Sequence, residues 1–443
     1  MLLSIRPSRA CGSACSSLRL EWLTGVSASP AARTQCLRRL PQSKPPHPRT
    51  TSRAFHSTCE RNSQSPRISY RVAASSSGKG RRFHPGRNAY NFNPGLHEAL
   101  GVAVDTQNPV AKRKRRPDSG EDAFFVSKVG RSGPSSENSI AFAVADGVGG
   151  WAESRVDPAD FSHALCGYMA ETALAWDQPA DQLRAKALLQ AGYDMVVADK
   201  SVPAGGSTAS VGIGLEDGRV ELANLGDSGS VLLRQAAVHH YSIPQTHGFN
   251  TPYQLSIIPP RMRQQASIFG GAYLEDFPRD AITTALNLQH GDVLILATDG
   301  VFDNLNNQDI LKLVTSRMLY TNAWTACKSP NAEITPASSE ALLALTGPDG
   351  LSAFLPPSSS GSKPPSKPDG SDKSATAPNL HDATYTLQSL IAATIASEAK
   401  LASMDFRRDG PFAKEAQRYY PGDYYRGGKV DDITVLVIVA VET

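Results

Sequence analysis

Asp292-Val293-Leu294-Ile295-Leu296-Ala297-Thr298-Asp299-Gly300-Val301-Phe302-Asp303 is an apolar run that stops abruptly in carboxylates. A short run apolar on both alternating sets of positions reads as a strand covered on both faces. A second such run, Ile433-Thr434-Val435-Leu436-Val437-Ile438-Val439-Ala440-Val441, opens directly after Asp431-Asp432. Three further acidic signatures belong to the same pattern: Gly120-Glu121-Asp122, Ala145-Asp146-Gly147 after the run 139–145, and Gly226-Asp227-Ser228 after the run 220–225. The stretch before Asp122 is the least strand-like of the four that precede a signature. Carboxylates placed where buried strands surface can converge on one spot. These signatures contain no matching Lys or Arg, so the cluster points to a hard cation such as Mg²⁺ or Mn²⁺, for which oxygen ligands are suited.

Outward from these signatures, strand and helix patterns alternate from about residue 120. Residues 157–176 carry apolar side chains at Phe161, Leu165, Tyr168, Met169 and Leu174, close to helical spacing, with Asp157 or Asp160 as N-cap. Residues 181–200 form a second helix of that kind. The runs 208–215 and 219–225 flank Glu216-Asp217-Gly218, a hairpin signal. Residues 230–234 add another strand. Strands, two helices and strands again imply sheets with helices packed outside them. The Pro-, Ser- and Gly-rich stretch within 328–380 cannot bury enough apolar surface to order itself, and the region reads as a disordered insertion with only transient helical turns at 342–345 and 351–355. Residues 384–404 then resume as an amphipathic helix.

The first 62 residues differ from the rest. They hold nine Arg and Lys44 against only Glu21 and Glu60. Arg-rich, Ser-rich, acid-poor composition is that of a mitochondrial transit peptide, and Arg53-Ala54-Phe55-His56-Ser57-Thr58 resembles a matrix processing site. Residues 63–94 read as a flexible linker, and 95–443 as the folded domain. Without the leader the formal charge changes from +3 to −5, which removes any net basic bias toward nucleic acid. Four of the six Cys also lie in the leader, leaving Cys166 and Cys327, too few for a disulfide framework. No apolar run approaches the roughly 18 residues that a membrane helix needs. Lys112-Arg113-Lys114-Arg115-Arg116 has the composition of a nuclear localisation patch, but reads here as a solvated stretch before the first strand.

Any one Asp-Gly pair after a strand is usually a turn. In order, however, Glu121-Asp122, Asp146-Gly147-Val148-Gly149-Gly150-Trp151, Gly205-Gly206-Ser207-Thr208-Ala209, Gly226-Asp227-Ser228-Gly229, Ala297-Thr298-Asp299-Gly300-Val301-Phe302-Asp303 and Asp431-Asp432-Ile433-Thr434 resemble the metal-dependent serine/threonine phosphatases of type 2C. The stretches 246–255 and 427–432 are similar to that family's mitochondrial branch. The resemblance implies an α+β fold, a four-layer α-β-β-α sandwich of two antiparallel sheets flanked by helices, with the metals at one end. It implies hydrolysis of phosphoserine and phosphothreonine by a metal-bridging water, without a phosphoenzyme, in a mitochondrial matrix monomer acting on ubiquinone-biosynthesis or matrix metabolic proteins.

By position in the family motif, Asp146 bridges two Mg²⁺ or Mn²⁺ ions and the carbonyl of Gly147 touches one. Asp299 and Asp431 complete the shell of the other, and Asp431 rather than Asp432 takes that role. Glu121 and Asp122 act through metal-bound waters. Asp227 corresponds to the position linked to a weaker third metal, shared with Asp299. Two positions depart from the pattern. Val148 stands where relatives commonly carry a proton-donating His, leaving water or a residue such as His163 for that role. Pro117 stands where they often carry a phosphate-gripping Arg, with Arg116 one step away. His247 is expected to be structural. The alternative is a catalytically impaired pseudophosphatase serving as a regulatory binding domain, although such proteins usually lose the metal carboxylates that this chain keeps. Residues 298–303 also resemble the nucleophile loop of haloacid-dehalogenase-type phosphatases, but that loop needs a second Asp where Ala297 stands.

Overall fold

The computed structural model describes residues 67–130, 138–268, 273–327, 333–348, 350–354, 386–422 and 424–443. The expected leader, 1–62, and most of the Pro/Ser-rich stretch lie outside them. Twelve strands form the body: β1 (Ile68–Ser77), β2 (Ala89–Phe92), β3 (Ala99–Leu100), β4 (Asp122–Lys128), β5 (Ile140–Asp146), β6 (Ala209–Gly214), β7 (Arg219–Leu225), β8 (Gly229–Arg234), β9 (Ala237–Tyr241), β10 (Ile282–Asn287), β11 (Val293–Ala297) and β12 (Ile433–Glu442). They make two six-stranded sheets, ordered β9-β8-β11-β12-β1-β2 and β10-β7-β6-β5-β4-β3. Every pairing within them is antiparallel.

The two-residue period of β12 shows why the layers form. Leu436, Ile438 and Ala440 face the inter-sheet core with Val72, Phe124, Phe142, Leu294 and Leu296. Val435, Val437 and Val439 point the other way, into a second core with Ile310, Val314, Ile391 and Ile395. Those last four belong to helices Asn307–Tyr320 and Leu387–Met404. On the far side, Phe125, Ala143 and Val211 pack against Phe161, Leu165, Leu188 and Val196, which belong to helices α1 (Pro158–Leu174) and α2 (Ala185–Ala198). The result is helix, sheet, sheet, helix. Asp157 caps α1, its carboxylate accepting from the Ala159 N–H at 3.1 Å. Among the described residues no helix is long and apolar enough to cross a membrane.

Four local expectations are corrected. Of the expected linker 63–94, the described residues 67–94 are not one, because β1 lies there inside its sheet between β12 and β2, paired over its full length with β12. Its Ser75, Ser76 and Ser77 are small enough to sit fully buried, so a polar-looking sequence hid a core strand. The stretch before Asp122 is loop, and Asp122 opens β4 rather than ending a strand. The region 328–380 is partly ordered: Ile334–Pro336 pairs with Trp324–Ala326, and helix Ser339–Thr346 buries Leu342. The basic run is exposed at Arg113, Lys114 and Arg115, as expected of a solvated stretch, but it follows three strands rather than preceding the first. It forms the helix Pro109–Lys114 and its C-terminal flank, with Lys112 on Glu171 at 3.0 Å, Arg113 and Arg116 on Asp160 at 2.5 and 2.7 Å, and Arg115 on Asp105.

Val72 is fully buried at the centre of β1. Val72→Asp places an unpaired charge there, a cost of several kcal/mol against a total stability of about 5–15 kcal/mol. The variant is expected to lose its cooperative urea transition, and a wild-type midpoint would take 68–77 out of the core.

Candidate active site

Asp122 at the start of β4 lies directly opposite Asp146 at the end of β5 in the antiparallel ladder. Asp146 is held by its backbone. Its carbonyl accepts from the Thr208 N–H at 2.9 Å and the Ser207 hydroxyl at 2.8 Å, and its N–H donates to Thr208 Oγ1 at 3.3 Å. This explains the Gly205–Thr208 motif, whose strand runs beside the end of β5. The next residue must be glycine, because a Cβ on Gly147 would stand 2.7 Å from the carbonyl oxygens of both Glu121 and Pro158.

The other sheet supplies Thr298, which follows β11, and Asp431-Asp432, which precede β12. Thr298 Oγ1 donates to Asp122 Oδ2 at 2.8 Å and accepts from the Thr434 N–H at 3.1 Å. A single hydroxyl thus joins β11, β12 and β4 at one end of the sandwich. Asp299 follows as the first residue of a short helical turn, Asp299–Phe302. Asp227 lies in the turn between β7 and β8, whose neighbour Ser228 shares a 2.7 Å hydrogen bond with Thr208.

The two adjacent acids of Asp431-Asp432 do different work. Asp432 is buried, and its carboxylate accepts the backbone N–H groups of Glu121, at 2.7 Å, and Lys79. Gly120, at φ +69°, makes room for it, since a Cβ there would fall 2.0 Å from the Asp432 carboxylate. Asp431 instead faces Lys429 Nζ at 3.0 Å. Lys429 is the residue that sequence reasoning missed. Its ammonium also lies 2.5 Å from Asp299 Oδ2 and 2.7 Å from Asp303 Oδ2. The acidic signatures therefore do have a cationic partner. It lies two residues before Asp431, inside the stretch 427–432 noted only for its likeness to the mitochondrial branch, and only the tertiary fold brings it to Asp299.

The charges remain in conflict around this lysine. Burial pushes Asp146 well above the usual carboxylate range, and Asp299, Asp122, Asp431 and Asp227 push it further. Burial and Asp432 do the same to Asp122, against the Thr298 hydrogen bond. Burial and then Asp299 drive Asp227 up to about 7, and burial and then Asp432 and Asp431 drive Glu121 up to about 7. Burial alone would lower Lys429, but Asp299, Asp303 and Asp431 outweigh it and hold it well above the ordinary lysine value. Asp122 Oδ1 and Asp227 Oδ1 are buried without a hydrogen-bond partner. Buried, unpartnered carboxylate oxygens fit a hard divalent cation. Among the described residues, no three acidic, His or Cys side chains stand ready around an ion; Asp299, Asp303 and Asp431 are drawn onto Lys429 instead.

The other nominated side chains stand apart from this chemistry. Arg116 is engaged with Asp160 at 2.7 Å and Asp157 at 3.8 Å. His163 is buried on α1; burial and then Arg116 push it down to about 3, so it carries no imidazolium proton at neutral pH. His247 bonds Asp276 at 3.0 Å and stacks on Tyr253, a structural arrangement.

The protein phosphatase 2C family model matches residues 114–331. The chain is 38% identical over 229 residues to the protein phosphatase PTC7 homolog fig of Drosophila grimshawi, covering 51% of this chain and 67% of that protein. The chain belongs to the protein phosphatase 2C family. It is also 40% identical over 210 residues to the mitochondrial protein phosphatase 2C homolog 7 of Saccharomyces cerevisiae, spanning 47% of this chain and 60% of that relative. To the 5-azacytidine resistance protein azr1 of Schizosaccharomyces pombe it is 30% identical over 324 residues, 73% of this chain and 82% of that one. Among solved structures, the photosystem II phosphatase PBCP aligns over 77% of this chain and 98% of its own, at 23% identity and a TM-score of 0.45.

The raised carboxylates give the metal-free protein a characteristic pH response. Folded Glu121 and Asp227 keep protons up to about pH 7, whereas unfolded carboxylates release them near about 4. The folded state binds more protons across that window, so stability falls as pH rises through it. His163 acts oppositely, but only below its ordinary value of about 6.5. In EDTA the melting temperature is therefore expected to rise as pH is lowered from about 8 to about 6.5, and the trend should vanish with saturating Mn²⁺. A flat or reversed profile in EDTA would contradict the buried acidic cluster.

Proposed function

We propose that this protein hydrolyses phosphoserine and phosphothreonine in mitochondrial proteins, using divalent cations held at the acidic end of the sandwich. The observation that carries the reading is the convergence there of Asp122, Asp146, Asp227, Asp299 and Asp431 from both sheets, with two buried carboxylate oxygens unpartnered.

Asp146, Asp299 and Asp431 are the residues proposed to hold two Mg²⁺ or Mn²⁺ ions, with the Gly147 carbonyl as a further ligand. Glu121 and Asp122 orient water around them, and Asp227, the position that the family resemblance links to a weaker third ion, lies close enough to Asp299 to feel its charge. Cations bound there supply Lewis acidity for phosphoryl oxygens and bring the pKa of water toward neutrality. That demand is large, since phosphate monoesters require accelerations of up to roughly 10²¹. The chain's own contribution is positional. Thr298 fixes the Asp122 carboxylate, the Ser207 and Thr208 contacts fix the Asp146 backbone, and Asp432 fixes the Glu121 backbone. The hydroxyls of Thr298, Thr208 and Ser207 are committed to these contacts, so direct attack of water on phosphorus, with no phosphoenzyme, is the proposed route. With Val148 unable to donate and His163 uncharged, solvent protonates the leaving alkoxide.

The composition of the first 62 residues and the yeast relative's mitochondrial name support a mitochondrial location, and the matrix is the compartment proposed. A reporter carrying residues 1–62 is expected to enter mitochondria and be shortened there; cytosolic retention would overturn that part.

Phosphate release from a phosphothreonine peptide, with Mn²⁺, Mg²⁺ or EDTA, tests the activity. Asp146→Asn and Asp299→Asn are each expected to lower turnover by at least ~10²–10³-fold, the scale of losing one preorganised electrostatic contact, with an unchanged circular dichroism spectrum. Wild-type turnover by either variant would remove the site assignment. A folded wild-type chain that releases no phosphate with any metal would favour the regulatory pseudophosphatase, a reading to which Val148 and the engaged Arg116 lend weight.

A further inference from the structure

Lys429 is held where it is by design of the local backbone rather than by the reach of a flexible chain. Its N–H donates to Asn304 Oδ1 at 2.9 Å, and its carbonyl accepts from Asn304 Nδ2 at 2.9 Å. The same Nδ2 donates to the Gly300 carbonyl at 2.8 Å, and Asn304 is buried. One asparagine therefore clamps the Lys429 backbone to the helical turn that carries Asp299 and Asp303. The Phe412 ring lies 5.1 Å from Nζ, and the Lys429 side chain is only 17% exposed.

An ammonium has three donors and no acceptor. Here three carboxylates receive it: Asp299 at 2.5 Å, Asp303 at 2.7 Å and Asp431 at 3.0 Å. Asp299 and Asp303 accept hydrogen bonds from it, and Asp431 adds an ion pair. A divalent cation could not share the space between Asp299 and Asp303 with that ammonium, because both need the same oxygens and their like charges repel at such short range.

We infer that the Lys429 ammonium is a resident cation that takes the place of a third divalent ion between Asp299 and Asp303, restricting the site to two metals. The inference rests on the metal-dependent reading of the site and adds to it the role of a residue that the acidic motifs do not contain. In the metal-free protein Lys429 also holds together an end of the sandwich where carboxylates otherwise repel one another. Lys429 is thus a positioning residue, acting on Asp299 and Asp431 rather than on the substrate.

The test measures metal count and metal-free stability on the full chain. Mn²⁺ bound per chain is determined by equilibrium dialysis with elemental analysis, up to millimolar free Mn²⁺, for the wild type, Lys429→Met and Lys429→Gln, each checked by circular dichroism. Melting of each in EDTA is recorded alongside. The expected result is two ions for the wild type, one additional weakly held ion for both variants, and a lower melting temperature for both without metal. Adding Asp303→Asn to Lys429→Met should return the count to the wild-type value. Two ions in wild type and in whichever variants fold would overturn the inference while leaving the proposed function standing, as would three ions in the wild type. A folded wild type that binds no Mn²⁺ would instead remove the proposed function, and the inference with it.

Discussion

Bringing like charges together out of water is the constraint around which this molecule is arranged. Each carboxylate at the open end of the sandwich loses hydration and gains repulsion, and burial is the first cause of the upward shift in Asp146, Asp122, Asp227 and Glu121 alike. The opposing stabilisation comes from well away from the charges. Leu294, Leu296, Leu436, Ile438, Phe124 and Phe142 fill the space between the sheets, and buried apolar side chains contribute roughly 1.5–3 kcal/mol each. Their strands run straight into the acidic residues. The two outer helical layers bury the opposite faces of the same strands, so the rigidity of all four layers converges on the positions of a few carboxylates.

Thr298 is the joint between the two halves of that arrangement. Its hydroxyl bonds Asp122 from one sheet and the Thr434 N–H from the other. Asp432 makes a second joint through the N–H groups of Lys79 and Glu121. Hydrogen bonds to a charged group are worth about 1.5–3 kcal/mol, enough to tie loop to strand against the local repulsion. Adjacent residues can therefore divide the labour, with Asp432 closing the loop before β4 and Asp431 left facing the cluster.

Much of this was legible in the sequence. The strands β5, β11 and β12 announce themselves by unbroken apolar runs, α1 by its periodicity and by an acidic cap that the structure assigns to Asp157 rather than Asp160, and the acids by their place at the strand ends. What was hidden was hidden for physical reasons. The β1 strand looked like linker because buried serines pack as small residues while reading as polar, and its strand character depends on β12, more than 350 positions away in the chain. The ordered piece around Leu342 lies beside a Pro/Ser-rich tract and was averaged into it. Periodicity cannot report a contact made only by tertiary proximity, and Lys429 with Asp299 is such a contact. The one available signal was a Lys two residues from a motif aspartate, which carries little information without the fold.

The residues that break the ordinary rules of burial mark where this chain has given up stability for chemistry. Asp122 Oδ1 and Asp227 Oδ1 are buried without partners, a state that costs about 1–3 kcal/mol per group. Replacing these acids with neutral side chains of similar shape would relieve both the desolvation and the repulsion on Asp146. A fold selected for stability alone would not keep them. Lys429 tempers the conflict without ending it, because one ammonium faces Asp299, Asp303 and Asp431 while Asp146 and Asp122 lie beyond its contacts. The remaining negative charge is what a cation site requires. The compensation by Lys429 stops short of Asp146 and Asp122, and the apolar layers on either side of the strands supply the stability that offsets the charge left over.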